Sequence, residues 1–136
     1  MPVVYQIDAE RRLIRTTCSG ELTLQDVFEH FRTLQNDPNC PDHLDVFLDV
    51  RDVKTLPLPG QLSAVVSEIR RVRPRVRFGA CAIVAERDAL YGMMRVFEAQ
   101  SDELFAITRT FRSAEEAEAW LVTQRVPLGS FGTGTG

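Results

Sequence analysis

Short β-rich runs alternate with amphipathic helical segments along most of the chain, and this alternation constrains the fold more than any other feature. The run from Phe78 to Ala85 contains no polar side chain and Asp45–Val50 is mostly apolar, as is typical of strands covered on both faces. Helical stripes with apolar residues three or four positions apart lie between such runs. Strands that alternate with helices predict a mainly parallel sheet flanked by helices.

Two β-rich runs at the start, Val3–Ile7 and Leu13–Cys18, are joined by a short polar link and predict a hairpin. The full order is β-β-α-β-α-β-α-β-α. It predicts an α/β fold with a mainly parallel five-stranded sheet and an antiparallel N-terminal edge hairpin. We expect residues 1–124 to form a single domain and the Gly- and Thr-rich residues 125–136 to form a flexible tail.

The four predicted helices carry start signals and inner faces. Thr23 with Asp26 predicts a capped start for the first helix, Asp88 is the predicted N-cap of the third, and Ser113–Glu116 has the capping-box pattern. The predicted apolar stripes, helix by helix, are Leu24, Val27, Phe28, Phe31 and Leu34; Leu62, Val65, Val66, Ile69 and Val72; Leu90, Tyr91, Met94 and Phe97; and Ala117, Trp120 and Leu121.

Composition excludes several classes of protein. Apolar residues make up 44% of the 136 residues and the formal net charge is −3, which is unlike a disordered chain and argues against nucleic acid as a partner. No apolar run approaches the roughly 20 residues that span a bilayer, and the N-terminal residues do not resemble a signal peptide. The three cysteines are widely spaced, which fits a reducing cytoplasm better than a disulfide framework.

Several local sequences resemble the SpoIIAA-like family, within the wider STAS domain group of anti-sigma factor antagonists and transporter tails. The resemblance is carried by Leu13–Gly20 with the following Glu21–Asp26, by Phe47–Val50 with its following loop, and by Thr110–Ala117. It spans about Val3–Leu121. It implies the SpoIIAA-like fold and protein partners of the signalling kind.

The chain departs from this family at one functional position. Phosphorylated members carry Asp-Ser-Ser-Gly, or a close variant, just before the second helix, where a kinase phosphorylates a serine. The matching stretch here is Leu56–Gly60, and no Ser or Thr occurs between Thr55 and Ser63. Because leucine and proline have no hydroxyl to receive a phosphate, the resemblance predicts a member without this switch, with Thr55 as the alternative acceptor.

The resemblance places the partner-binding surface at this same loop. Its predicted residues are Thr55, Leu56, Pro57, Leu58, Pro59 and Gly60. A second predicted apolar contact is formed by Tyr91, Met93 and Met94, because methionine is common at adaptable binding surfaces; the alternative is that these residues are core. Gly92, inside the same helix, indicates close packing, with a homodimer as one source of it.

Five arginines form the densest charge cluster of the chain: Arg70, Arg71, Arg73, Arg75 and Arg77. One interpretation is structural, because cations are favoured at a helix C-terminus. The other is a basic patch for an acidic partner surface, a phosphate or an anionic headgroup. Both interpretations stay open at the level of sequence.

Catalytic and metal-binding patterns are weak. Cys40 and His43 have the spacing of a metal pair, but a structural zinc site needs four ligands and the other histidine, His30, lies on the first helix. Asp49 and Asp52 could hold a cation at the end of the central strand, or serve as a strand-end charge and a turn cap. His43 lies near carboxylates, but no nucleophile elbow is present. We therefore expect no metal, no cofactor and no enzymatic activity.

The sequence thus predicts a non-enzymatic cytoplasmic binding or regulatory module. Its predicted partner is a protein. The alternative is a module that binds a small hydrophobic ligand or a lipid in an apolar pocket between the sheet and the helices, because the wider fold includes lipid-carrying members.

Overall fold

The computed structural model describes residues 2–124, and the predicted tail lies outside them. The elements follow the predicted order. The strands are β1 (Val3–Asp8), β2 (Leu13–Gly20), β3 (His43–Val53), β4 (Arg77–Val84) and β5 (Phe105–Phe111). The helices are α1 (Leu24–Gln35), α2 (Pro59–Val72), α3 (Asp88–Gln100) and α4 (Ala114–Gln124).

The five strands form one sheet in the order β1-β2-β3-β4-β5. β1 runs antiparallel to β2, and all the other neighbouring pairs are parallel. The predicted α/β fold, with its mainly parallel sheet and antiparallel edge hairpin, is therefore confirmed. Each parallel crossover joins two adjacent strands, and such crossovers share one hand. This topology carries the connecting helices α1, α2 and α3 over the same face of the sheet.

The two faces of the sheet have separate cores. α1 packs on α2 and α2 on α3, and their buried side chains meet the strands in one large apolar cluster. α4 packs on β3, β4 and β5, where Ala117 and Leu121 meet Ala80, Ala82 and Val84. Every residue of β4 after Arg77 is buried, as the unbroken apolar run predicts.

A bulge interrupts the pairing of β3 with β4. Leu44 pairs with Phe78 and Val46 with Cys81, so two residues of β4 lie opposite Asp45 alone. The carboxylate of Asp45 accepts a hydrogen bond of 2.9 Å from the backbone N–H of Ala80, one of those two residues. The other is Gly79, whose missing side chain leaves the room that this carboxylate fills.

Helix starts agree with the sequence in part. Thr23 caps α1 as predicted, and the Asp26 side chain completes a capping box with it; the hydroxyl of Ser113 accepts a hydrogen bond from the N–H of Glu116. The predicted N-cap of α3 is wrong by one position: Arg87 is the N-cap and Asp88 is the first helical residue. A carboxylate stabilises the positive helix end from either position, so composition alone does not separate the two.

Gly92 does not serve close packing within the chain. It is exposed, and a Cβ built on it meets no atom within 4 Å. The described residues therefore do not supply the predicted close packing, and packing of Gly92 against a second copy stays a prediction. None of the helices described between residues 2 and 124 is long and apolar enough to cross a membrane.

Candidate functional site

The carboxyl ends of the parallel strands lie at one edge of the sheet, and hydrogen bonds join the loops that follow them. The backbone N–H of Lys54 donates to the carbonyl of Gly20 at 2.8 Å. The hydroxyl of Thr55 donates to the carbonyl of Leu22 at 3.2 Å. The guanidinium of Arg87 donates to the carbonyl of Val53 at 2.8 Å. The segment after β3 is thus held at its base by both neighbouring loops.

The predicted partner loop is part loop and part helix. Thr55–Leu58 is irregular, whereas Pro59 and Gly60 already belong to the first turn of α2. Proline suits this position because its fixed φ matches a helix and the first turn requires no N–H from it. The side chain of Gln61 accepts a hydrogen bond of 2.9 Å from the N–H of Leu58, which fixes the helix entry.

Alternate residues of this segment face opposite ways. Leu56 and Leu58 are 47% and 65% exposed. Thr55 and Pro57, in contrast, line an apolar cavity that is partly open to solvent. The segment therefore has an apolar outer side, open to solvent, and an inner side that forms one end of the cavity.

The cavity has a volume of about 190 Å³ and lies between the sheet and helices α1, α2 and α3. Most of its lining is aliphatic or aromatic, and it extends from Pro57 at the carboxyl edge to Phe105 on β5. None of its lining side chains is Asp, Glu, Lys or Arg. This location is the one that the ligand-binding alternative predicts.

His30 is a basic residue in the wall of the cavity. Its ring contacts Tyr5 and Phe31 edge-on, with centroid separations of 5.4 and 5.1 Å. Burial lowers the pKa of His30 to about 4, so the imidazole is neutral at pH 7. Tyr5 donates a hydrogen bond of 2.7 Å to Asp37, and burial together with this bond raises the pKa of Tyr5 to about 12.

The cysteines do not form a reactive site. All three are free and buried. Cys18 and Cys81 line the cavity; burial raises the pKa of Cys18 to about 12 and raises the pKa of Cys81 further still. Cys40 is buried in the helix-side core, and its thiol donates to the carbonyl of Pro41.

The arginine cluster is divided by the fold. Arg71 pairs with Glu68 on α2, and Arg75 donates to the backbone carbonyls of Asp37 and Cys40 at 3.0 and 2.8 Å. Arg75 thus connects the turn before β4 to the turn before β3. The others lie on the last turn of α2, at its C-cap and at the start of β4: Arg70, Arg73 and Arg77.

The second predicted contact is only partly on the surface. Met94 is buried in the core, and Tyr91 and Met93 are half-buried against it. Tyr91 also lies under the guanidinium of Arg112, whose carbon is 4.2 Å from the ring centroid. The structure therefore leaves Tyr91 and Met93 partly accessible and places Met94 in the core.

The candidate metal ligands do not form a site, although the side chains of His43 and Asp45 lie close to each other beside Gly79. Asp49 is held by Arg51 through two side-chain hydrogen bonds of 3.0 and 2.8 Å; burial raises the pKa of Asp49, but the bonds from Arg51 outweigh it and the net shift is downward. Asp52 is exposed. Among residues 2–124, no group of three or more His, Cys, Asp or Glu side chains could hold a metal ion.

The sequence predicts an apolar pocket between the sheet and the helices, but it does not predict which residues line that pocket. The lining residues come from five strands, three helices and two loops, and most of them look like ordinary core in their own segments. His30 carries a usable signal, because it directly precedes Phe31 in the apolar stripe of α1. That signal does not show that β1 brings Tyr5 against the imidazole.

The mixed sheet, the single helical layer over one face and the apolar cavity beneath it define a small STAS-type α/β domain. A family model for SpoIIAA-like domains matches residues 13–122, and the chain belongs to this family. Membership indicates a regulatory or interaction module of the STAS type. No curated protein sequence matches the chain.

Proposed function

We propose that the protein is a non-enzymatic cytoplasmic binding module of the STAS type, which contacts a protein partner through Thr55–Gly60. The observation that carries this proposal is the exposure of Leu56 and Leu58, at 47% and 65%, side by side at the carboxyl edge of the sheet. Exposed leucines next to each other are a typical core for a protein contact.

The rigidity of the segment supports the proposal. Pro57 and Pro59 restrict the backbone on either side of Leu58, and the bond from Thr55 to the carbonyl of Leu22 holds the base. A surface that is already ordered loses little conformational entropy when it binds. Thr55 is half-buried and its hydroxyl is in use, which favours a module without the phosphorylation switch.

A matched pair of variants tests this proposal. Leu58→Ser removes an apolar side chain from the segment, and Val122→Ser removes one of equal exposure, 65%, from α4 on the other face. Proteins from the source cell that bind the immobilised wild type are identified by mass spectrometry. The protein that binds most tightly is then purified and titrated directly against the wild type and both variants. We expect Leu58→Ser to weaken its binding by a factor of about ten or more and Val122→Ser to leave it unchanged. Equal binding to all three proteins would exclude this segment as the contact.

A second copy of the chain is one partner that this surface could take. Light scattering of the wild type and of a Leu58→Asp, Met93→Asp double variant tests for it. A homodimer that uses these surfaces gives a halved mass in the double variant. An unchanged mass excludes them as the dimer contact.

The arginines left without an ion pair support a smaller proposal. Among the described residues, the side chains of Arg70, Arg73 and Arg77 make no ion pair, and we propose that they add an electrostatic contact to an acidic partner. Changing these three to Ser, while keeping Arg71 and Arg75 for their structural bonds, should reduce the salt dependence of partner binding. Unaltered salt dependence would remove them from the contact.

The cavity favours a second candidate function, the binding of a small hydrophobic ligand. An apolar cavity of about 190 Å³ leaves its lining side chains exposed when it is empty, and a hydrophobic ligand would remove that apolar surface from water. Native mass spectrometry of the purified protein tests for an occupant. A bound small molecule favours this function, whereas a retained protein favours the first.

A further inference from the structure

The wall of the cavity restricts the chemistry of what it can hold. It contains no Asp, Glu, Lys or Arg, and its histidine is neutral because burial lowers the pKa of His30 to about 4. A charged ligand group would therefore lose its hydration and gain no ion pair, which is strongly unfavourable. An uncharged apolar molecule has no charged group whose hydration would be lost.

Most polar side chains of the wall already have partners. Thr23 accepts from the N–H of Asp26, Thr55 donates to Leu22, and Gln61 accepts from Leu58. Within the described part of the chain, the side chains that line the cavity without a hydrogen bond include those of His30 and Thr16. A neutral imidazole offers one donor and one acceptor, whereas its present neighbours, Tyr5 and Phe31, contact it with their rings.

We infer that the cavity binds an uncharged apolar molecule that carries one hydrogen-bonding group, and that His30 is the partner of that group. This inference rests on the second proposed function, ligand binding in the cavity. It specifies the ligand class: the alkyl or aromatic part fills the space between the sheet and the helices, and a hydroxyl or carbonyl meets the imidazole.

Three six-carbon probes test the inference on the wild-type protein at pH 7.5: hexane, 1-hexanol and hexanoate. Methyl chemical shifts in NMR report where each probe binds. Ile14, Leu34 and Ile69 line the cavity, whereas Val84 and Leu121 lie in the α4-side core and serve as internal controls. We expect shifts at the cavity methyls, and a Kd for 1-hexanol lower than that for hexanoate by a factor of about ten or more.

His30→Phe keeps a ring of similar size but removes the hydrogen bond. It should weaken 1-hexanol binding roughly fivefold and leave hexane binding unchanged, and Thr16→Val should leave both unchanged. An effect of Thr16→Val in place of His30→Phe would overturn the assignment to His30. Hexanoate that binds as tightly as 1-hexanol would overturn the ligand class but keep the ligand-binding function. No shift at the cavity methyls with any probe would overturn both.

Discussion

Gly79 lies where the bulge between β3 and β4 leaves no room for a side chain. A Cβ at this position would lie 2.4 Å from Oδ1 of Asp45, and 3.1 Å from the ring of His43. The same Oδ1 accepts the hydrogen bond from Ala80, so the carboxylate must give up that bond in order to move. At the scale of one residue, the bulge between these two central strands thus includes a position that fits glycine but not a larger residue.

Gly79→Ala should therefore lower the free energy of unfolding by about 1–3 kcal/mol, from the lost hydrogen bond and the crowding. Urea denaturation measures it. Gly60→Ala is the matched control, since a Cβ there meets no atom within 4 Å, and it should be neutral or slightly stabilising. A Gly79→Ala protein as stable as this control would contradict the described bulge.

His30 gives the protein a defined pH dependence. Its pKa is about 4 in the folded chain, against 6.5 for the ordinary group, so between these values the unfolded chain binds a proton that the folded chain does not. The free energy of unfolding is therefore highest above about pH 6.5, and it falls by roughly 3 kcal/mol as the pH drops to 4. Urea midpoints across this range measure the loss.

The control for this prediction is His30→Phe, which should flatten the slope of stability between pH 6.5 and 4. Asp37 and Asp49 do not interfere in that window, because their pKa values are lowered from 3.8 and their contribution is lost only at more acidic pH. A wild-type slope that survives in His30→Phe would show that another group causes it.

At the scale of the element, α3 contains a glycine, Gly92, that no close contact within the described chain requires. Gly92 is exposed in the helix interior and has open space around it. Gly92→Ala should raise the free energy of unfolding of the monomer by about 0.5–1 kcal/mol, because alanine has the higher helix propensity. Thermal unfolding measures this, and a loss of stability that grows with protein concentration would indicate instead that a second copy packs on this face.

Local sequence patterns predict the helices and strands well, but not which distant residues they contact. The stripe of α2 is right at Leu62, Val66, Ile69 and Val72, all buried, because a 3.6-residue period reports directly on one buried face. The bonds of Arg75 to Asp37 and Cys40 join residues 38 and 35 positions apart. A local sequence period cannot reveal contacts between residues so far apart. The arginine cluster therefore looks like one surface patch in the sequence, although Arg75 has a structural role in it.

At the scale of the whole molecule, the order of the strands decides where the site is. Strands that pair in sequence order carry three helices over one face and leave α4 to cover part of the other. The sequence predicts the parallel sheet and an apolar layer above it, but the cavity depends on how Val3, Leu34, Val65 and Met94 meet from four different elements. Tertiary packing alone determines that volume.

The three thiols provide a probe of the whole fold. Cys18, Cys40 and Cys81 are free and at most 6% exposed, on β2, in the turn before β3 and on β4. Because thiolate is the reactive form and burial raises the pKa of each, none should react with a thiol reagent in the folded chain at pH 8. Labelling followed by mass spectrometry should find all three modified together, at the rate of global unfolding. Modification of Cys18 and Cys81 ahead of Cys40 would show instead that the cavity opens while the rest of the domain stays folded, since only those two of the three line it.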